Sequence, residues 1–159
     1  MKPPVTTRKL TTLSLLAAIA LALYAVESAL PPIVPIPGIK LGLSNIITLV
    51  VLWKYSAKDA FFVLLVRILL AAMSLLYSLS GGILCLFAML LVKRLLHGNY
   101  LFLASMTGAV FHNLGQIGVA FLLTSVPAVL VYLPFLLLSG LVTGLFIGLC
   151  ARFTLRFLP

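Results

Sequence analysis

Seven polar side chains in an otherwise apolar chain could do chemistry: Glu27, Lys40, Asn45, Arg67, His112, Asn113 and Gln116. Gly108, His112 and Gln116 recur at four-residue spacing, so on a helix they share one face, with Asn113 bordering it. The run His112-Asn113-Leu114-Gly115-Gln116 thus offers an imidazole and two amides toward one spot, while Gly115 and Gly118 let another backbone approach. Glu27 is one acid facing two bases, and it could pair with either Lys40 or Arg67. Either pairing leaves one positive charge over, which the carboxylate or phosphate of a ligand would balance, because an isolated charge away from water is strongly disfavoured. The competing reading is structural: buried amides and histidines fasten helices together, and a single Glu27 ion pair would fix a bundle. The concentration of all seven favours a small-molecule binding site.

Other chemistries are excluded by what the chain lacks. It has only two acidic residues, Glu27 and Asp59, so neither paired-carboxylate catalysis nor an Asp-rich Mg²⁺–diphosphate site can be assembled. No metal-ligand spacing and no Walker-type glycine loop occurs, and no cofactor is implied. Cys85 and Cys150 lie in different apolar runs without CxxC spacing and read as packing residues. The chain therefore reads as a binding protein and not as an enzyme.

The elements that must position these residues are membrane helices. The chain is 64% hydrophobic and 8% charged, with a mean hydropathy of +1.31, outside the range of a soluble domain. Its 159 residues hold about six apolar runs long enough, with short turns, to cross a ~30 Å hydrocarbon core. The basic residues fall at alternate ends of these runs. Lys2, Arg8 and Lys9 precede the first, Lys54 and Lys58 follow the second, Lys93, Arg94 and His97 follow the fourth, and Arg152 and Arg156 follow the last. The connections around 31–39, 76–82 and 124–129 carry no charge. Because positive residues are retained on the cytoplasmic side, the pattern predicts an all-α membrane protein, a six-transmembrane-helix bundle with both termini cytoplasmic. Residues 1–9 and 154–159 are cytoplasmic tails around a single domain over 10–153. The net charge of +9 then reports topology and contact with anionic membrane lipids, and no nucleic acid is expected.

The expected passes are Leu10–Leu30, Leu41–Trp53, Ala57–Tyr77, Gly81–Leu96, Leu101–Thr124 and Ala128–Phe153, with Gly81-Gly82 read as a turn. Prolines 31, 32, 35 and 37 stop the first helix. The first run, with its Glu27 and no small-residue cleavage site, does not read as a signal peptide. The second pass is about thirteen residues, ~20 Å, too short to span alone, so the apolar segment 33–39 is expected to dip into the membrane as non-helical chain. In this orientation all seven polar residues fall in the outer half, which describes a pocket opening outward and not a through-channel. Ala18, Ala22, Ala25 and Ala29 form a small-residue stripe on the first helix, and at ~100° per residue Glu27 faces the other way. Gly140, Gly144 and Gly148 form a comparable row whose expected use is tight packing within the bundle.

Four segments carry a family resemblance: Pro37-Gly38-Ile39-Lys40-Leu41-Gly42-Leu43-Ser44-Asn45, Glu27 to Pro32, Gly108 to Gln116, and Tyr132-Leu133-Pro134 with Ser139 to Gly144. From about residue 12 to residue 152 the chain resembles the Gx transporter family, also catalogued as heptaprenyl diphosphate synthase component I. That family is similar to the substrate-binding S components of energy-coupling factor (ECF) transporters. The resemblance implies an S-component fold in a bacterial cytoplasmic membrane, with the seven polar residues contacting a small-molecule substrate. It also implies that Ala18 and Ala22 dock a transmembrane coupling subunit attached to two cytoplasmic ATPases. The alternative is a non-catalytic membrane subunit associated with polyprenyl diphosphate synthesis.

Overall fold

The computed structural model describes residues 6–31, 40–70, 75–96 and 100–158. These residues form α1 (Thr7–Ala29), α2 (Asn45–Lys54), α3 (Ala57–Leu70), α4 (Leu75–Leu95), α5 (Leu101–Thr124) and α6 (Leu133–Phe157). A 3-10 helix, Pro127–Tyr132, leads into α6, and no strand occurs among the described residues. The described fold is all-helical. Among the described residues, four elements are long and apolar enough to cross a membrane: α1, α4, α5 and the continuous stretch Pro127–Phe157.

The short α2 is the buried post of the bundle. Each residue from Asn45 to Leu52 is buried, and α1, α3, α4 and α6 all pack around it. Its lead-in is not helical, because Gly42 adopts a left-handed φ of 82° and the chain from Gly42 to Ile47 closes into turns, with Asn45, Ile46 and Ile47 N–H donating to Gly42, Leu43 and Ser44 O. The helix therefore begins at Asn45, later than the expected Leu41. α5 lies between α4 and α6 and occupies the expected span, ending where Ser125 takes a left-handed φ of 56° just before Pro127. The outward surface is apolar, with Phe62, Leu69, Leu122, Val131 and Phe157 exposed, as lipid contact requires.

The boundary between the third and fourth helices corrects the expectation. Gly81-Gly82 is not a turn: both glycines are buried inside α4, which already starts at Leu75. A glycine inside a helix costs about 1 kcal/mol against alanine, but here the missing side chain serves close packing. A Cβ on Gly115 would lie 2.8 Å from Gly81 Cα, so α4 and α5 touch backbone to backbone. Gly118, expected to do the same, faces open space. The α6 glycines do pack inside the bundle: a Cβ on Gly144 would fall 2.5 Å from Met106 Cα, and Ser105 Oγ donates to Gly144 O at 2.6 Å. The segment 33–39, expected to dip into the membrane, lies outside the described residues.

One end of the bundle is held by charge. Lys9 pairs with Asp59 at 2.8 Å, and Ser56 caps α3 by accepting from Asp59 N–H while donating to its carboxylate. Lys93 donates to Leu52 O, and Lys54 donates to Leu158 O at 3.2 Å. These contacts gather the starts of α1 and α3 and the C-terminal ends of α2, α4 and α6. The packing predicts that Gly144→Val, which meets backbone that cannot yield, lowers stability by about 1–3 kcal/mol. Gly118→Ala should leave the thermal midpoint in detergent unchanged or slightly raised. Equal midpoints for the two variants would contradict the assigned α5–α6 contact.

Candidate functional site

The site begins with a backbone problem. Residues 40–44, which lead into α2, are not helical, so their N–H groups lack the partners a helix supplies, and in an apolar surround each needs an acceptor. Glu27, in the last turn of α1, supplies two: its carboxylate accepts Gly42 N–H at 2.6 Å and Leu43 N–H at 3.0 Å. Successive amides around a left-handed glycine make a natural anion cradle. Gly42 is doubly constrained, since a Cβ would also lie 2.6 Å from Asn45 Nδ2 and 2.8 Å from the His112 ring.

A second acceptor comes from α5. Lys40 N–H donates to Gln116 Oε1 at 3.0 Å, which fixes the orientation of that amide. Gln116 Nε2 then faces His112 Nε2 at 3.0 Å, and because the amide nitrogen can only donate, His112 Nε2 accepts. The imidazole is therefore neutral, with its proton on Nδ1, assigned from the hydrogen-bond pattern. The ring fits because Gly81 lacks a side chain: a Cβ there would meet His112 Nδ1 at 2.7 Å. The helix-interior glycine of α4 is thus part of the site.

The cations are placed differently from the pairing read in sequence. Arg67, 3% exposed, donates to Ser44 Oγ and reaches Asn45 Oδ1 at 3.5 Å. Lys40 donates from Nζ to Ser28 Oγ at 2.5 Å and stands 3.7 Å from the Tyr24 ring centroid. Neither contacts the Glu27 carboxylate directly among the described residues, although both lie within its electrostatic reach. Three donors, Arg67 Nε, Asn45 Nδ2 and the protonated His112 Nδ1, are buried without a hydrogen-bond partner among the described residues.

The structure thus brings together six of the seven singled-out residues: Glu27, Lys40, Asn45, Arg67, His112 and Gln116. Asn113 turns the other way, donating to Leu136 O at 2.6 Å and packing against Gly140, where it ties α5 to α6. Sequence reading missed Ser44, Tyr24, Ser28 and Gly81. Tyr24 and Ser28 were findable, since their i, i+4 spacing brackets Glu27 on α1. The opposite side of α1 presents Ala18, Ala22, Ala25 and Ala29 exposed, while Glu27 is 6% exposed.

A comparison with known families finds one whose model matches residues 16–154: "Heptaprenyl diphosphate synthase component I". No curated protein and no solved structure matches the chain.

The double acceptor role of Glu27 generates a stability prediction. Glu27→Gln keeps size and one acceptor oxygen but leaves Gly42 or Leu43 N–H unsatisfied, a cost of roughly 1–3 kcal/mol. Reversible unfolding in mixed micelles should show that loss. A variant as stable as the parent would mean that the carboxylate does not carry the turn.

Proposed function

We propose, on the premise that the chain belongs to the heptaprenyl diphosphate synthase component I family, that it is the substrate-binding membrane component of an ECF-type uptake system. The reading takes the four long apolar helices with α2 and α3 as six passes of a bacterial cytoplasmic membrane, with both termini inside. Glu27, Lys40, Asn45, Arg67, His112 and Gln116 then lie toward the outer leaflet, with Asn113 nearby. They receive a small anionic metabolite or cofactor precursor, and the chain itself performs no bond-making step.

The observation that carries this reading is the charge and donor surplus of the cluster. One carboxylate stands against two cations without directly contacting either, and both of its oxygens are occupied by backbone N–H groups. Arg67 Nε and Asn45 Nδ2 are donors still lacking an acceptor among the described residues. A carboxylate or phosphate supplies both the missing negative charge and the missing acceptors, and a guanidinium is suited to bind either in two-pronged fashion. The exposed alanine face of α1 supports the second half of the reading, because small residues let a partner helix approach closely. That partner is a transmembrane coupling subunit joined to two ATPases.

The family description favours a second reading: a non-catalytic membrane subunit working with a soluble polyprenyl diphosphate synthase. Asp59 is the chain's single aspartate, so an aspartate-rich diphosphate site would have to come from that partner.

Two variants separate these readings. Ala22→Trp on the exposed face should abolish co-purification of the ATPase module while the small molecule remains bound; retention of the module would remove Ala22 from the docking face. Arg67→Gln should reduce the co-purified anion at least tenfold, measured by mass spectrometry, with a smaller effect on the thermal midpoint. Loss of folding in step with loss of ligand would favour a purely structural arginine.

A further inference from the structure

A second concave site lies at the charged end of the bundle, away from the Glu27–Arg67 cluster. Trp53 at the end of α2, Leu101 and Phe102 at the start of α5, and Arg152, Leu155 and Arg156 on α6 line a cavity of about 480 Å³. That is within the ~300–1,000 Å³ of small-ligand sites. Both arginines are exposed, and their described contacts are aromatic: Arg152 stands 5.9 Å from the Phe102 ring and Arg156 5.6 Å from the Phe153 ring.

No acidic side chain of this protein is free to neutralise them. Of the two in the sequence, Asp59 is held by Lys9 and Ser56, and Glu27 by the Gly42–Leu43 turn. The field is reinforced from two directions. Lys93 Nζ stands 5.1 Å from the Trp53 ring, and α5 begins at the cavity with no acidic residue in its first turn and no side-chain cap. The remaining lining is apolar, and on α6 the exposed Leu149 and Phe153 lie one turn before the two arginines. Positive charge for an anion, joined to an apolar track on a lipid-facing helix, describes an amphipathic ligand at the membrane surface.

We infer that this cavity binds the phosphate-bearing headgroup of a lipid of net negative charge, with Arg152 and Arg156 on the phosphate and Trp53, Leu101 and Leu155 against the first apolar atoms. An anionic glycerophospholipid and a prenyl diphosphate share this chemistry. Trp53 is the chain's single tryptophan, so its fluorescence reports the site alone. The test titrates the detergent-purified protein with short-chain phosphatidylglycerol, short-chain phosphatidylcholine, geranyl diphosphate and inorganic pyrophosphate.

A saturable change in Trp53 emission is expected with phosphatidylglycerol or geranyl diphosphate, and whichever saturates at lower concentration names the source. The Arg152→Gln/Arg156→Gln double variant, altered at exposed positions, should bind that lipid at least tenfold more weakly. Lys58→Gln, which removes an exposed charge outside the cavity, should not change it. Equal response to phosphatidylcholine, equal affinity for pyrophosphate, unchanged binding by the double variant, or equal weakening by Lys58→Gln would each overturn the assignment.

Discussion

The structure depends on satisfying a short stretch of non-helical backbone among apolar helices. Water cannot reach such N–H groups within a bilayer, and an unmet one costs several kcal/mol. Here Gly42 and Leu43 donate to Glu27 on α1, and Lys40 N–H donates to Gln116 on α5. Three main-chain donors in the α2 lead-in are thus answered from two other helices. The turn in turn sets the start of α2, the most buried helix, and everything packed on it. Polar residues that resemble a ligand shell are therefore in part the scaffold of that shell.

That division of labour sharpens the functional argument. Once the backbone takes both oxygens of Glu27, Lys40 and Arg67 compete for what remains of a single negative charge. Arg67 leans on neutral Ser44 and Asn45, partners that orient a guanidinium without cancelling its charge. His112 adds none, since Gln116 requires its Nε2 as an acceptor. The cluster keeps a formal surplus of one positive charge, which supports the proposed anion binding over simple helix fastening.

Much of this was legible in the sequence, and the failures have physical causes. The span of α5 was readable because a long apolar run ends at a Ser-Val-Pro stop, and the i, i+4 spacing of His112 and Gln116 put them on one face. Asn113, one residue on, is rotated by ~100° and reaches α6 instead. Gly81-Gly82 misled because glycine pairs ordinarily punctuate soluble chains; between membrane helices the same absence of a side chain admits His112 and the Gly115 backbone. The Glu27 contacts were not legible at all, because sequence shows opposite charges but not main-chain N–H groups aimed by a left-handed glycine. Charge attraction pointed to Arg67 or Lys40, and the backbone was the stronger claimant.

In the proposed function a cationic, intramembrane cluster holds a small anion for delivery by a separate energised module. Native mass spectrometry of the protein, released gently from membranes of cells that carry its own neighbouring proteins, addresses it in one experiment. The expected result is a complex with a coupling subunit and ATPases, and a bound anionic metabolite that is lost in Arg67→Gln. A complex with a soluble prenyl synthase and polyprenyl diphosphate, without ATPases, would contradict it.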